Sequence, residues 1–268
     1  MNYSPKPSQY FFGWDVGGWN CDKNPGSRDA IVILDAALTI VGRPWRGNLR
    51  RHINAAADSN AWVDALFTLC AATRSAEPSS VTLAIDTPLG FSQDFVALVT
   101  GLQSACSVEA SNTNPYLFRR TERWLFERGL SPLSAVKDMI GSQATKGMHV
   151  LARFAPIVRS CGVWSDGKQL TAIEAYPAAC RGSPSLGLLR QRFTPLGHSD
   201  KDDALACALI AHLYATAPET LVPPGDEVPT SEGWIWLPTD AVRTAQVVRQ
   251  DASRPPQQAV DVLSRETE

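Results

Sequence analysis

The chain has 268 residues, 44% hydrophobic and 19% charged, with 25 basic against 27 acidic side chains. That suffices for one large domain or two small ones with an unstapled core, and the 18 glycines and 19 prolines exclude collagen-like and low-complexity classes. The formal net charge of −2 weighs mildly against a partner held by a broad basic face, while leaving room for a local one.

The N-terminal MNYSPKPSQYFF lacks a basic segment followed by an apolar one, so no secretory signal is expected and the chain reads as cytoplasmic. Residues 10–16 (YFFGWDV) form an aromatic and β-branched run halted by Gly17-Gly18, as a strand ending in a tight turn would be. Residues 30–34 (AIVIL) and 38–41 (LTIV) predict a second and third strand. A helix over 59–73 follows, capped by Asp58 or Ser59, with Trp62, Leu66, Leu69 and Cys70 at helical spacing. Residues 81–85 (VTLAI) predict a fourth strand, stopped by Asp86-Thr87-Pro88. A mostly helical insertion spans 92–160. It includes a helix over 118–128 and another from Ser142, with Leu151, Phe154 and Val158 on one face and Pro156 ending or bending it. Leu170–Ala175 predicts the fifth strand, and 200–217 a buried helix. The uncharged run 204–217 contains His212 and is too short to span a bilayer.

This order predicts an α/β domain over 10–217, a mixed five-stranded sheet with helices on both faces and a helical insertion. A proline-rich extension over 218–248 carries a candidate late strand at 233–237, and the polar tail 249–268 reads as disordered. The six cysteines lie far apart in sequence, and Cys70 and Cys207 sit in apolar runs, so neither a structural disulfide nor a zinc clip is expected.

Acidic residues recur at one kind of position. Asp15 and Asp86 close strands, Glu174 lies near the end of another, and Asp200 and Asp203 open the last helix. Strand carboxyl ends and helix amino ends are where α/β sheets bind ligands. Clustered carboxylates raise one another's pKa unless a cation is present, and such a set suits Mg²⁺ or Mn²⁺. Two such ions about 4 Å apart activate water and stabilise a leaving oxygen in phosphodiester hydrolysis. Singly, each residue also reads as a turn or helix-start acid. Asp200 and Asp203 share a helix face three residues apart, with Asp202 as the substitute ligand. His198 and Lys201 beside them read as surface residues.

Together GWDVGGW, AIDTPLG, IEAYPAA and HSDKDDALACALIAHLYA resemble domain-of-unknown-function family 429, predicted nucleases with a ribonuclease H-like fold, and FRRTERWLFERG resembles that family's Arg-rich insertion. The last helix is also similar to the metal-binding helix of RuvC-type resolvases. The resemblance implies Asp15, Asp86 and Asp203 as core metal ligands, joined by Asp200, with Glu174 as a further catalytic-site residue.

Arg119, Arg120, Arg123 and Arg128 accompany Trp124 and Phe126, and Arg43, Arg46, Arg50 and Arg51 flank Trp45. Arginines interleaved with aromatics suit phosphates and stacked bases, making Arg119, Arg120 and Arg123 candidate substrate contacts. A salt-bridged helix face, with Glu122 and Glu127 at helical spacing from Arg119 and Arg123, is the competing reading. Trp14 and Trp19 read as core or pocket wall. Hydrolysis of DNA or RNA by a two-metal mechanism, with two Mg²⁺ or Mn²⁺ ions bound, is the leading expectation. A phosphotransferase or ATPase of the actin-like branch, suggested by Asp15-Val-Gly-Gly, and a non-catalytic binding module are the alternatives. Setting the five proposed site acids against bound cations leaves the rest of the chain mildly basic.

Overall fold

The computed structural model describes residues 8–75, 79–108 and 110–243. The fold is α/β, built on a mixed sheet of eight strands. Strands β1 (Ser8–Asp15), β2 (Asp29–Asp35) and β3 (Trp45–Gly47) come first, followed by helices α1 (Arg50–Ala55) and α2 (Ser59–Leu69) and strand β4 (Ser79–Asp86). Next come α3 (Gln93–Gly101), α4 (Arg120–Glu127), α5 (Gly141–Phe154), β5 (Ile157–Ser160), β6 (Val163–Ser165) and β7 (Leu170–Ala175). The chain continues through α6 (Pro184–Arg190), α7 (Ser199–Thr216) and β8 (Ile235–Trp236). The strands run in the order β3-β2-β1-β4-β7-β6-β5, with β8 also on β7. β1, β4 and β7 are parallel neighbours at the centre, while β2 and β6 pair antiparallel on either side.

Five strands were expected and eight are present. The run 38–41 is a tight return instead of a strand: Leu38 is left-handed at φ 59°, and the Asp35 carboxylate accepts the Ala37 and Thr39 amides at 2.9 and 2.8 Å. Only a single bridge, Leu34 to Ile40, survives there. The unanticipated β3, β5 and β6 are three or four residues each, too short to show an alternation. Helix α5 stops at Phe154, before Pro156, so Val158 belongs to β5 and is half exposed. The late strand exists as β8, and Trp234 and Leu237 beside it are buried in the core that α7 covers. The first part of the proline-rich extension is thus integral to the domain. The tail 249–268 lies outside the described residues.

Two apolar layers flank the sheet. Phe11, Val32, Ala84 and Ile173 face α7, while Phe12, Trp14, Ile33, Leu83 and Ala172 face α2 and α5. The low polarity of α7, buried from Ala204 to Ala211, follows from its place across β1, β2 and β4. Contact is closest at Gly13, where any Cβ would overlap the Ala204 carbonyl and the Ala208 amide. All six cysteines are free thiols. Among the described residues no helix is long and apolar enough to cross a membrane.

Candidate functional site

Parallel register sets the site. Asp15 and Asp86 end adjacent strands and stand directly opposite each other. Alternation along each strand places both on the face of Phe11, Gly13 and Ala84, which is the face α7 covers. The missing side chain at Gly13 lets α7 ride close to β1, which delivers the first turn of α7, with Asp200 and Asp203, beside the two strand ends.

Asp15 and Asp86 are half-buried and line a common cleft. Burial, then the charges of Asp86, Asp200 and Asp203, pushes Asp15 up to about 9. Burial, then Asp203 and Glu174, pushes Asp86 up to about 8. Asp203 is also raised by burial, with Arg181 and Arg190 pulling it back. Asp15 thus feels the charges of Asp86, Asp200 and Asp203, and Asp86 those of Asp203 and Glu174.

The members differ in what else holds them. Asp200 accepts from the Arg46 side chain at 2.7 Å and the Arg28 amide at 3.0 Å, so one of the basic residues near Trp45 serves this carboxylate. His198 caps α7, its Nδ1 accepting the Asp200 amide at 3.1 Å. Asp202 turns away, to Arg190 at 3.1 Å.

Glu174 stands opposite Ile85 instead of Asp86, so its side chain leaves from the other face of the sheet. It is buried and held bidentately by Arg119 at 2.6 and 2.8 Å, and it accepts the Leu89 amide at 2.8 Å. Arg119 also donates to Glu122 at 2.8 Å and to the Glu232 carbonyl at 2.9 Å. With 2% exposure, Arg119 is no phosphate contact. It ties the insertion, the proline-rich extension and the loop after Asp86 together, and the salt-bridged face expected around it is an interior network. Its network holds the 86–89 loop, and Glu174 also lines the cleft at Asp15 and Asp86. Arg120 and Arg123 line a separate cleft of about 580 Å³ with Trp124, Phe126 and Glu127, sharing no lining residue with the cleft at Asp15 and Asp86.

Three features escaped the sequence. Lys146, on α5, is fully buried and ion-paired with Asp29, and it donates to the Gly17 and Gly18 carbonyls at 3.2 and 3.3 Å. Asp29 also accepts from Trp14 Nε1 at 3.1 Å and the Gly17 amide at 3.0 Å. This cluster fixes the turn that follows Asp15. Arg181, exposed just past β7, borders a cleft of about 350 Å³ with Arg190, Ser199 and Asp203. Thr87 is buried beside Asp86, and its hydroxyl has no hydrogen-bond partner. A lysine in an amphipathic helix or a threonine after a strand carries no sequence mark of burial. The nearest signal for Lys146 was its spacing from Val150 and Phe154 on the inner helix face.

Paired carboxylates suit a hard divalent cation in donor chemistry. Among the described residues, no three carboxylate, imidazole or thiol side chains converge closely enough to hold an ion by themselves. A cation would rest on Asp15 and Asp86 and complete its shell with water and substrate oxygens, the usual habit of Mg²⁺. No family model matches the chain, and no curated protein or solved structure is significantly similar to it.

Proposed function

We propose that the chain is a divalent-cation-dependent nuclease with a ribonuclease H-like fold, as its resemblance to family 429 implies, hydrolysing phosphodiester bonds of DNA or RNA. The observation that carries the reading is the side-by-side placement of Asp15 and Asp86 at the ends of adjacent parallel strands, on the face where α7 brings Asp203. Mg²⁺ or Mn²⁺ held there supplies positive charge for the phosphate and lowers the pKa of water. In this reading Asp15 and Asp86 hold the ion and Asp203 orients the groups around it. Asp200, braced by Arg46, adds negative charge. Glu174 and Arg119 keep the 86–89 loop in place. Arg181, which lines a neighbouring cleft with Asp203, is a candidate contact for a phosphate oxygen.

The actin-like alternative is less well supported. It needs the amides of the Asp15-Val-Gly-Gly turn free to cradle phosphate, but the Gly17 amide is committed to Asp29. Cleavage of end-labelled DNA and RNA oligonucleotides, with and without Mg²⁺, tests the proposal. Wild type cleaves only with the metal, and Asp15→Asn and Asp86→Asn lose at least about a hundredfold in rate. Undiminished cleavage by both variants would falsify the assignment.

A further inference from the structure

Beside the carboxylate pair lies a cavity of about 140 Å³ whose lining includes Asp15, Asp86, Thr87, Gln143, Leu133 and Tyr176. It is too small for the drug-sized ligands that fill sites of about 300–1,000 Å³. At ~30 Å³ per water it holds about five waters, or one ring-sized group. Its composition is unusual for the neighbourhood of an acidic centre. Leu133, half exposed at 51%, and the Tyr176 ring give it apolar walls. Tyr176 is pinned because its hydroxyl donates to the Ser131 carbonyl at 3.0 Å, so the ring is a fixed surface.

Besides the carboxylates of Asp15, Asp86 and the Arg119-bound Glu174, the polar side chains are few. Thr87 lines this cavity at 5% exposure, and its buried hydroxyl has no hydrogen-bond partner among the described residues. A buried hydroxyl favours a hydrogen-bonding neighbour, which water or a ligand atom entering beside Thr87 would supply. Gln143, half-buried on α5, adds a carboxamide, which offers a donor and an acceptor side by side. A flat apolar wall with a carboxamide and a hydroxyl at its polar end matches the ring and edge of a nucleobase, since glutamine pairs bidentately with base edges and tyrosine faces stack on bases. The adjacent carboxylates make an anion a poor occupant of the cavity itself.

From the juxtaposition of this cavity, its unpartnered Thr87 hydroxyl and the Asp15–Asp86 pair, we infer that it receives one unstacked nucleobase of the strand being cut, so that the substrate is single-stranded or locally unpaired nucleic acid. The inference rests on the nuclease reading. A base can enter such a cavity only after leaving its duplex stack, which is far easier in an unpaired strand than in a paired one.

The test uses the full chain with Mn²⁺ and labelled oligonucleotides that are single-stranded, fully paired, or paired with one extra unpaired nucleotide. In parallel, saturation-transfer NMR without metal probes binding of adenosine and cytidine. Single-stranded and bulged substrates are expected to be cut at least about tenfold faster than the full duplex, a preference of the size unstacking provides. Gln143→Trp, which fills the cavity, and Thr87→Val, which keeps its shape, should both shrink that ratio and weaken the nucleoside signal. Equal cleavage of paired and unpaired substrates, unchanged in both variants, overturns the base site and leaves the nuclease reading standing. Nucleoside binding that both variants weaken, with no oligonucleotide cut, supports the cavity and overturns the nuclease reading. Neither binding nor cleavage overturns both.

Discussion

Replacing Asp86 with Asn should make the metal-free protein more stable at neutral pH. Burial, with Asp203 and Glu174 adding to it, raises this carboxyl from 3.8 to about 8. Between those two values the folded protein retains a proton that the unfolded chain has released. Stability is therefore greatest below the unfolded pKa and falls as pH rises toward the folded one. At pH 7 the protein stands about three pH units above the unfolded value, which at ~1.4 kcal/mol per unit sets a ceiling of about 4 kcal/mol. Asp86 is half-buried and lines a cleft, so solvent screening removes part of this, leaving about 2–3 kcal/mol. Asparagine has the shape of the protonated acid and no charge to strand, so Asp86→Asn recovers that amount at pH 7 and under about 1 kcal/mol at pH 4. Urea denaturation in EDTA at pH 4, 5.5 and 7 measures it directly. Saturating Mn²⁺ should reverse the ranking, because only the wild type gains by binding. An Asp86→Asn protein no more stable than wild type at pH 7, or a gain that ignores pH, refutes the electrostatic picture of the site.

Four further substitutions probe the scaffold. Gly13→Ala drives a methyl into the α7 backbone and should cost about 3 kcal/mol or more in chemical denaturation, with cleavage falling because Asp203 moves away from Asp15. Lys146→Met leaves the buried Asp29 uncompensated, lowering stability by about 3–5 kcal/mol; pairing it with Asp29→Asn should restore most of that loss in the same assay. Arg119→Met should cost a similar amount yet leave the salt dependence of nucleic-acid binding unchanged, since the residue is interior. Arg181→Ala should do the opposite, sparing stability while raising KM and reducing the slope of log binding constant against log salt by about one.

Much of the sheet's centre was legible because its strands are long and apolar enough to declare themselves. YFFGWDV, VTLAI and LTAIEA all lie within β1, β4 and β7 or one residue beyond, and each ends at the acid or turn that the sequence marks. The short strands were not legible. Trp45–Gly47 and Val163–Ser165 acquire strand geometry only by pairing with longer neighbours. The 38–41 run shows the reverse case, where an apolar, β-branched stretch is overruled by the left-handed turn at Leu38.

At the site, the strand-end position of Asp15 and Asp86 was readable, but the relative register of β4 and β7 was not. That register alone separates Asp86 from Glu174 by a sheet face, turning an expected catalytic acid into an anchor for Arg119. The same limit explains Arg119, whose neighbours in sequence suggested a solvated basic face. Its partners Glu174 and Glu232 lie 55 and 113 residues away, and no local pattern announces pairing at that distance.

The central claim is that Asp15 and Asp86 share a divalent cation. Anomalous diffraction from crystals soaked in Mn²⁺ tests it most directly. The account predicts a peak between the two carboxylates, beside the first turn of α7, that disappears in crystals of Asp86→Asn. Ordered carboxylates with no peak at saturating Mn²⁺, or a peak that persists in the variant, would contradict it.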